Sequence, residues 1–279
     1  MKDKVNFDIF FSVIIVNYNY AHLIERAILS VLHQTYSNQN YEIIIVDDGS
    51  TDHSRDILQK YASISHVNLK LINHQGQLAA FKEGIKHSRY DWICLLDSDD
   101  EFTRNKLEKV ASFIQTHKEE CLYIAHDLMM VDSKKGVTRK WFDYIGIHAS
   151  HLDISHCEYN YPFSIPCGQI YHKKILKPFI DDIDSKTWMQ GADNPINWGA
   201  LFISGRIYYL SEVLGFYHVH GRNHFMDSTL QGFAPKLNYL DRWQALINFL
   251  ENFDKITSHL YLTPSSRRPI LQFLKKCLE

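Results

Sequence analysis

With 279 residues, 45% of them hydrophobic, the chain can bury a large core as one sizeable domain or as a domain with an appendage. Its 30 basic and 32 acidic residues leave a net charge of −2, which argues against a nucleic-acid binder, since phosphate attraction needs a clustered basic surface. The five cysteines, Cys94, Cys121, Cys157, Cys167 and Cys277, are odd in number and form no C-x-x-C pair, so they predict neither a disulfide framework nor a zinc site and suit a reducing cytoplasm. The first residues, Met1-Lys2-Asp3-Lys4, do not open a signal peptide, and the longest apolar run, 9–16 with Ser12 inside, is too short to span a bilayer. A cytoplasmic protein, at most peripheral at the inner face of a membrane, is expected.

In chain order, a Val- and Ile-rich run predicts a strand over 10–16, and Leu23, Ile24, Ala27, Ile28, Val31 and Leu32 repeat with helical spacing. A second strand is predicted over 41–46, a helix capped by Ser or Thr over about 54–61, and a third strand over 69–72. A helix over about 78–87 leads to a fourth strand, Trp92-Ile93-Cys94-Leu95-Leu96, which runs straight into Asp97-Ser98-Asp99-Asp100. This alternation predicts an α/β fold, a Rossmann-like and mainly parallel sheet flanked by helices, with working loops at the C-terminal strand ends. Beyond Asp100 the alternation weakens: a helix near 103–116, a strand over 122–125, an irregular aromatic and His-rich stretch to about Asp184, and a helical tail from about Phe233.

Three polar strand ends should therefore converge: Asn17-Tyr18-Asn19, Asp47-Asp48 and Asp97-Ser98-Asp99. Two carboxylates one residue apart at a sheet's C-terminal edge offer hard oxygen ligands to a divalent cation. By itself such a run also suits a solvated turn that caps the next helix, as Asp48-Gly49 suits a simple turn.

Three longer stretches are more specific: Ser12-Val13-Ile14-Ile15-Val16-Asn17-Tyr18-Asn19, then Ser30-Val31-Leu32-His33-Gln34-Thr35-Tyr36, then Glu42-Ile43-Ile44-Ile45-Val46-Asp47-Asp48-Gly49-Ser50-Thr51-Asp52. They closely resemble the opening of the family 2 glycosyltransferases of GT-A fold, and the resemblance extends over roughly 10–223. It implies a GT-A domain over 1–230, with a nucleotide-binding half at about 8–102 and an acceptor half at about 103–230, followed by the helical extension 231–279. It also implies metal-dependent, inverting transfer of one sugar from a nucleotide-diphosphate donor, a UDP-sugar being favoured, to a glycan or lipid-linked acceptor in surface polysaccharide assembly.

The resemblance assigns roles residue by residue. Asp48, with Asp47 as the alternative, would read the nucleobase beside Asn17, Tyr18 and Asn19. Asp97 and Asp99 match the D-x-D that holds Mn²⁺ or Mg²⁺, with Ser98 beside the donor. A cation is needed there because two bare carboxylates would repel a diphosphate. Asp100 is expected at a helix N-terminus, where negative charge is favoured. Gly76 would lead a helix that closes over the donor, while Lys82 and Glu83 depart from the family's usual choices there. Gly168 and Gln169 would floor the sugar pocket. Asp193 would be the general base, just outside a helix with Asn194 as N-cap and Pro195 first, although Ala192 replaces the family's Glu. His220 would reach the metal and Arg222 the diphosphate, while His218 sits where the family prefers Arg.

The Ala192 replacement leaves a second reading open, a catalytically silent nucleotide-sugar-binding module of an assembly complex. Other chemistries fit less well. An aspartyl-phosphate phosphatase would want a Thr where Glu101 and Phe102 stand, and Tyr239-Leu240-Asp241-Arg242-Trp243 lacks the Gln of processive synthases. Trp141, Phe142, Tyr144, Tyr159, Tyr161 and Trp188 could stack on a glycan, though the core is the commoner place for such side chains. In the tail, Ile270, Leu271, Leu274, Cys277 and Leu278 share a helical face near Arg267, Arg268, Lys275 and Lys276, a pattern suited to an anionic membrane surface or to packing in a homodimer.

Overall fold

β1 (Phe11–Asn17) and β2 (Tyr41–Asp48) are buried along their whole length, which explains why they read as almost unbroken apolar runs. A computed structural model describes residues 9–117, 121–132, 136–153, 163–220, 223, 244–251 and 272. In it, β3 (Val67–Ile72), β2, β1 and β4 (Trp92–Asp97) lie side by side and all parallel. The order turns back at β1, so right-handed crossovers place α1 (Ile24–Leu32) and α3 (Gln77–His87) on opposite faces. α2 (Ser54–Gln59) lies against α1. The gap between β1 and β4 is thus a topological switch point, the place where an open α/β sheet offers a crevice to ligands.

The same sheet continues into the second half with mixed polarity. β9 (Gln169–His172) runs antiparallel between β4 and β6 (Tyr123–Asp132), and β10 (Arg206–Val219) runs parallel to β6. β5 (Glu101–Phe102) closes the edge antiparallel to β10, β7 (Val137–Lys140) pairs with β6, and β8 (His151–Asp153) pairs with β10. The parallel pattern expected from the alternation therefore holds for the first four strands, while the stretch expected to be irregular supplies most of the antiparallel ones. β10 escaped notice because its register shifts after Leu210 and again after Val213, which breaks the two-residue alternation.

α4 (Lys106–His117) packs on β10, and α7 (Asp193–Ser204) packs on β6, on β10 and on α6 (Lys173–Leu176). α5 (Trp141–Ile145) puts Trp141 and Phe142 into the core, and Trp188 is buried as well, so these three aromatics build the interior and are not free to stack on a glycan. Tyr159 and Tyr161 lie outside the described residues. Residues 244–251 are helical and bury Leu246, Ile247 and Leu250, whereas the amphipathic segment expected over 267–278 lies outside the described residues apart from the single position 272. Among the described residues, no helix is long and apolar enough to cross a membrane.

Candidate active site

A cleft of about 460 Å³ opens at the switch point, lined by the ends of β1, β2 and β4, the start of α3, the segment 189–194 and the end of β10. Asn17, the last residue of β1, donates to Asp47 Oδ2 at 2.9 Å and to Ser50 Oγ at 3.1 Å, which locks the ends of the two strands together. Asn19 takes a left-handed backbone (φ 58°), tolerable for Asn, and its Oδ1 accepts the Thr51 and Asp52 N–H groups. Asn17 and Tyr18 face the cleft, and Asn19 shapes the loop behind them.

Of the two aspartates closing β2, Asp48 is the one on the cleft. Asp47 is fully buried, and its carboxylate accepts from Asn17, from the Ser50 N–H at 3.0 Å and from Arg55 Nε at 3.0 Å. It fixes the loop and does not line the cleft. Asp48 accepts the Gln75 and Gly76 N–H groups, both at 2.8 Å, and meets His74 Nδ1 at 2.8 Å. Tyr18 stacks on that imidazole, with centroids 4.0 Å apart and planes 12° from parallel. His74, to which the sequence attaches no expectation, lines the cleft as well.

After β4 the chain turns so tightly that Asp97, Asp99 and Asp100 bring carboxylate oxygens within 4.8 Å of one another. Asp97 Oδ1 accepts from Gln77 Nε2 at 2.8 Å, Asp99 Oδ2 lies 2.9 Å from His220 Nε2, and Asp100 Oδ1 accepts the His218 N–H at 3.1 Å. Burial, and then the Asp99 charge, hold the Asp97 and Asp100 carboxyls well above the usual carboxylate range. Three hard oxygens converging within 4.8 Å are a donor set suited to a divalent cation, so the residues present fit Mn²⁺ or Mg²⁺. Asp100 corrects an expectation: α4 begins only at Lys106, and Asp100 is instead the buried tie between the acidic turn and β10. Ser98 lines the cleft.

Around this turn, Arg26 donates to the Asp99 carbonyl at 2.7 Å and pairs with Glu101 at 3.0 Å, and His218 pairs with Glu101 at 2.7 Å. His218, standing where an Arg was expected, is thereby engaged with an anion. Burial raises the Glu101 carboxyl, but the hydrogen bond from His218 and the Arg26 charge outweigh it and bring the group below its ordinary value. The end of β10 is held by Asn223, which accepts the His220 N–H and donates to the His218 carbonyl, both at 2.7 Å. Arg222 lies outside the described residues.

Asp193 faces the cleft opposite the acidic turn, and its charge is felt at Asp97. It is the first residue of α7, with Ala192 as N-cap, so the helix starts earlier than the Asn194-Pro195 pair suggests; Asp193 still lies in the first turn, where the helix dipole favours its ionised form.

Three expected donor contacts are placed elsewhere. Gly76 (φ 95°) is buried between the Asp48 carboxylate and Met189, where an added Cβ would come within 2.6 Å of Met189 Cα. Gly168 faces Ser164 and His126, and Gln169, wholly buried, donates to the Ser164 carbonyl; Ile165 and Pro166 line the cleft in their stead. Lys82 caps the 180–183 turn through the Asp181 and Ile183 carbonyls. Conversely, Gln77, Met189 and Tyr217 line the cleft without having been singled out.

The family model for Glycosyl transferase family 2 matches residues 12–179. The chain belongs to glycosyl transferase family 2. An uncharacterised glycosyltransferase of Nostoc sp. is 33% identical over 225 residues, 78% of this chain and 67% of its own length. The Escherichia coli protein named UDP-Glc:alpha-D-GlcNAc-diphosphoundecaprenol beta-1,3-glucosyltransferase WfaP is 28% identical over 64% of this chain and 68% of its own. The chain spans only about half of some other relatives, such as 48% of the putative teichuronic acid biosynthesis glycosyltransferase TuaG of Bacillus subtilis. Among solved structures, S. aureus TarS 1–349 in complex with UDP-GlcNAc superposes with a TM-score of 0.68 at 19% identity, covering 95% of this chain and 72% of that one. The Pyrobaculum calidifontis mannosyltransferase PcManGT, in complex with GDP-Man and Mn²⁺, reaches 0.57 at 16%, covering 96% and 69%. These two likenesses establish the GT-A fold.

Proposed function

We propose that this family 2 protein transfers one sugar, with inversion, from a nucleotide-diphosphate donor to a hydroxyl of a glycan or lipid-linked acceptor in surface polysaccharide assembly. The observation that carries the proposal is the meeting of Asp48, the Asp97-Ser98-Asp99 turn and Asp193 on one cleft at the switch point. Asp48 supplies a carboxylate for a base N–H, with Tyr18 and His74 as aromatic surfaces beside it. A UDP-sugar is favoured by the partners in two names, the UDP-GlcNAc of the TarS complex and the UDP-Glc of WfaP. The diphosphoundecaprenol acceptor in the WfaP name supports a lipid-linked acceptor here.

Asp97, Asp99 and Asp100, with His220 at Asp99, would hold Mn²⁺ or Mg²⁺, which supplies Lewis-acid stabilisation of the departing diphosphate. The chain's own contribution to the reaction is Asp193. Its carboxylate takes the proton of the acceptor hydroxyl as that oxygen forms a bond to the anomeric carbon. The bond from that carbon to the donor phosphate breaks, and the nucleoside diphosphate leaves with the electron pair.

The test is transfer from a panel of nucleotide sugars in Mn²⁺ and in chelator, with the parent and Asp193→Asn. Donor binding should survive in Asp193→Asn while turnover falls by about 10²-fold or more, because the amide keeps the shape but takes no proton. Near-normal turnover would move the base elsewhere. A parent that binds donor yet neither transfers nor hydrolyses it would be the silent binding module that Ala192 leaves open.

A further inference from the structure

One side chain joins the two halves of this site. Gln77, at the start of α3, donates through Nε2 to Asp97 Oδ1 at 2.8 Å and accepts through Oε1 the N–H of Ala192 at 3.1 Å. That amide orientation is dictated by the partners, since a carboxylate can only accept and a backbone N–H can only donate. One end of the bridge is thus a carboxylate of the acidic turn, and the other is the residue directly before Asp193. The backbone reinforces it: the Gln77 N–H donates to the Met189 carbonyl at 2.9 Å and the Leu78 N–H to the Trp188 carbonyl at 3.4 Å, so the first turn of α3 is docked on the segment that leads into α7. Gln77 itself lines the cleft.

We infer that Gln77 is a positioning residue that sets the separation and orientation of the cation-binding carboxylate Asp97 and the proton acceptor Asp193. The inference rests on the roles proposed above for those two aspartates. The chemistry explains the choice of residue. Asparagine is one methylene too short to span both partners, and glutamate would place a third anion against Asp97 with no proton to donate. A glutamine carries a donor and an acceptor on one planar group and adds no charge. It also fills a need created by Ala192, which lacks a side chain through which this helix start could reach the acidic turn.

The test compares the full-length parent with Gln77→Met, which is nearly isosteric and makes neither bond, and with Gln77→Asn, which keeps the amide but not the reach. Both should lose about tenfold or more in turnover, because small misplacements of reacting groups are costly. Donor KM should stay within about threefold, since the bonds to the donor are not removed. Mn²⁺ titration by calorimetry, with no turnover involved, should weaken by about tenfold, as for other groups that orient a metal ligand. At saturating Mn²⁺ in an Asp193→Asn background either substitution should cost less than about threefold further in turnover, because residues acting as a unit are not additive. Turnover within about twofold of the parent, or a Gln77 loss that carries over in full onto Asp193→Asn, overturns the inference. If Asp193→Asn itself retains turnover, the catalytic assignment fails instead, and the two failures are told apart. If Gln77→Met does not fold, Gln77→Asn decides by the same criteria.

Discussion

Asp48 holds its loop together as well as filling the recognition role proposed for it, and the two separate in experiment. Its carboxylate satisfies the buried Gly76 N–H and the half-buried Gln75 N–H. Asp48→Ala should therefore destabilise the fold by about 1–3 kcal/mol, chiefly from the Gly76 donor left unpaired, besides weakening donor binding. Asp48→Asn keeps one acceptor oxygen, so it should lose less stability while still losing donor affinity. Denaturant unfolding beside calorimetric titration of a nucleoside diphosphate checks both, and unchanged affinity in Asp48→Asn would remove the residue from base recognition. Lys106 is the other residue with a measurable signature. It is fully buried, donates to the Cys167 carbonyl at 2.7 Å and sits over the Phe102 ring, and burial pushes its pKa down to about 8 from 10.5. At this group the unfolded chain binds more protons between pH 8 and 10.5, so the Lys106 contribution to stability rises with pH across that window. Below it the penalty is present in full, about 3 kcal/mol. Lys106→Met should flatten that rise, read as the difference between parent and variant unfolding free energies, and a parallel slope in both would refute it.

At the scale of elements, the junction of α3 with the 188–192 segment leaves little room for change. Gly76 needs a positive φ and has no room for a Cβ beside Met189. Gly76→Ala should cost about 1–3 kcal/mol in stability and also depress transfer, since relief of the clash moves the helix start away from the segment bearing Asp193. An unchanged melting temperature would show that the backbone absorbs the methyl group without strain. How far the chain was legible varied in a physically consistent way. β1, β2 and β4 and the three polar strand ends could be read because both faces of those strands are covered, which leaves apolar runs with polar stops, whereas the half-exposed β3 shows only the short run 69–72. Gln169 lies off the cleft because of the way its strand faces. A resemblance gives a position a role, whereas the side on which Gln169 emerges is set by its register against Ala125 in β6. Gln77 and His74 were missed because their value lies in partners far along the chain, Ala192 and Asp97 for the one, Tyr18 and Asp48 for the other.

For the molecule as a whole, the order of β10, β6 and β9 beside β4 determines when the cleft can exist. Asp99 and His220 lie 121 residues apart in sequence, and Gln77 and Ala192 lie 115 apart. The nucleotide-binding strands can pair from short-range connections, but the pocket requires the two halves of the chain to meet. Long loops must close before such contacts return any free energy, and a chain of this size commonly folds through intermediates. Refolding from urea should therefore restore far-UV circular dichroism first and binding of nucleoside diphosphate with Mn²⁺ in a later, slower phase. Simultaneous recovery of both signals would contradict this order. The tie between β10 and the acidic turn through Asp100 and His218 then acquires a temporal meaning. During synthesis more than two hundred residues must emerge before His218 can reach Asp100, so the finished cleft is a late product of translation and its ability to take up the proposed donor would report a completed fold.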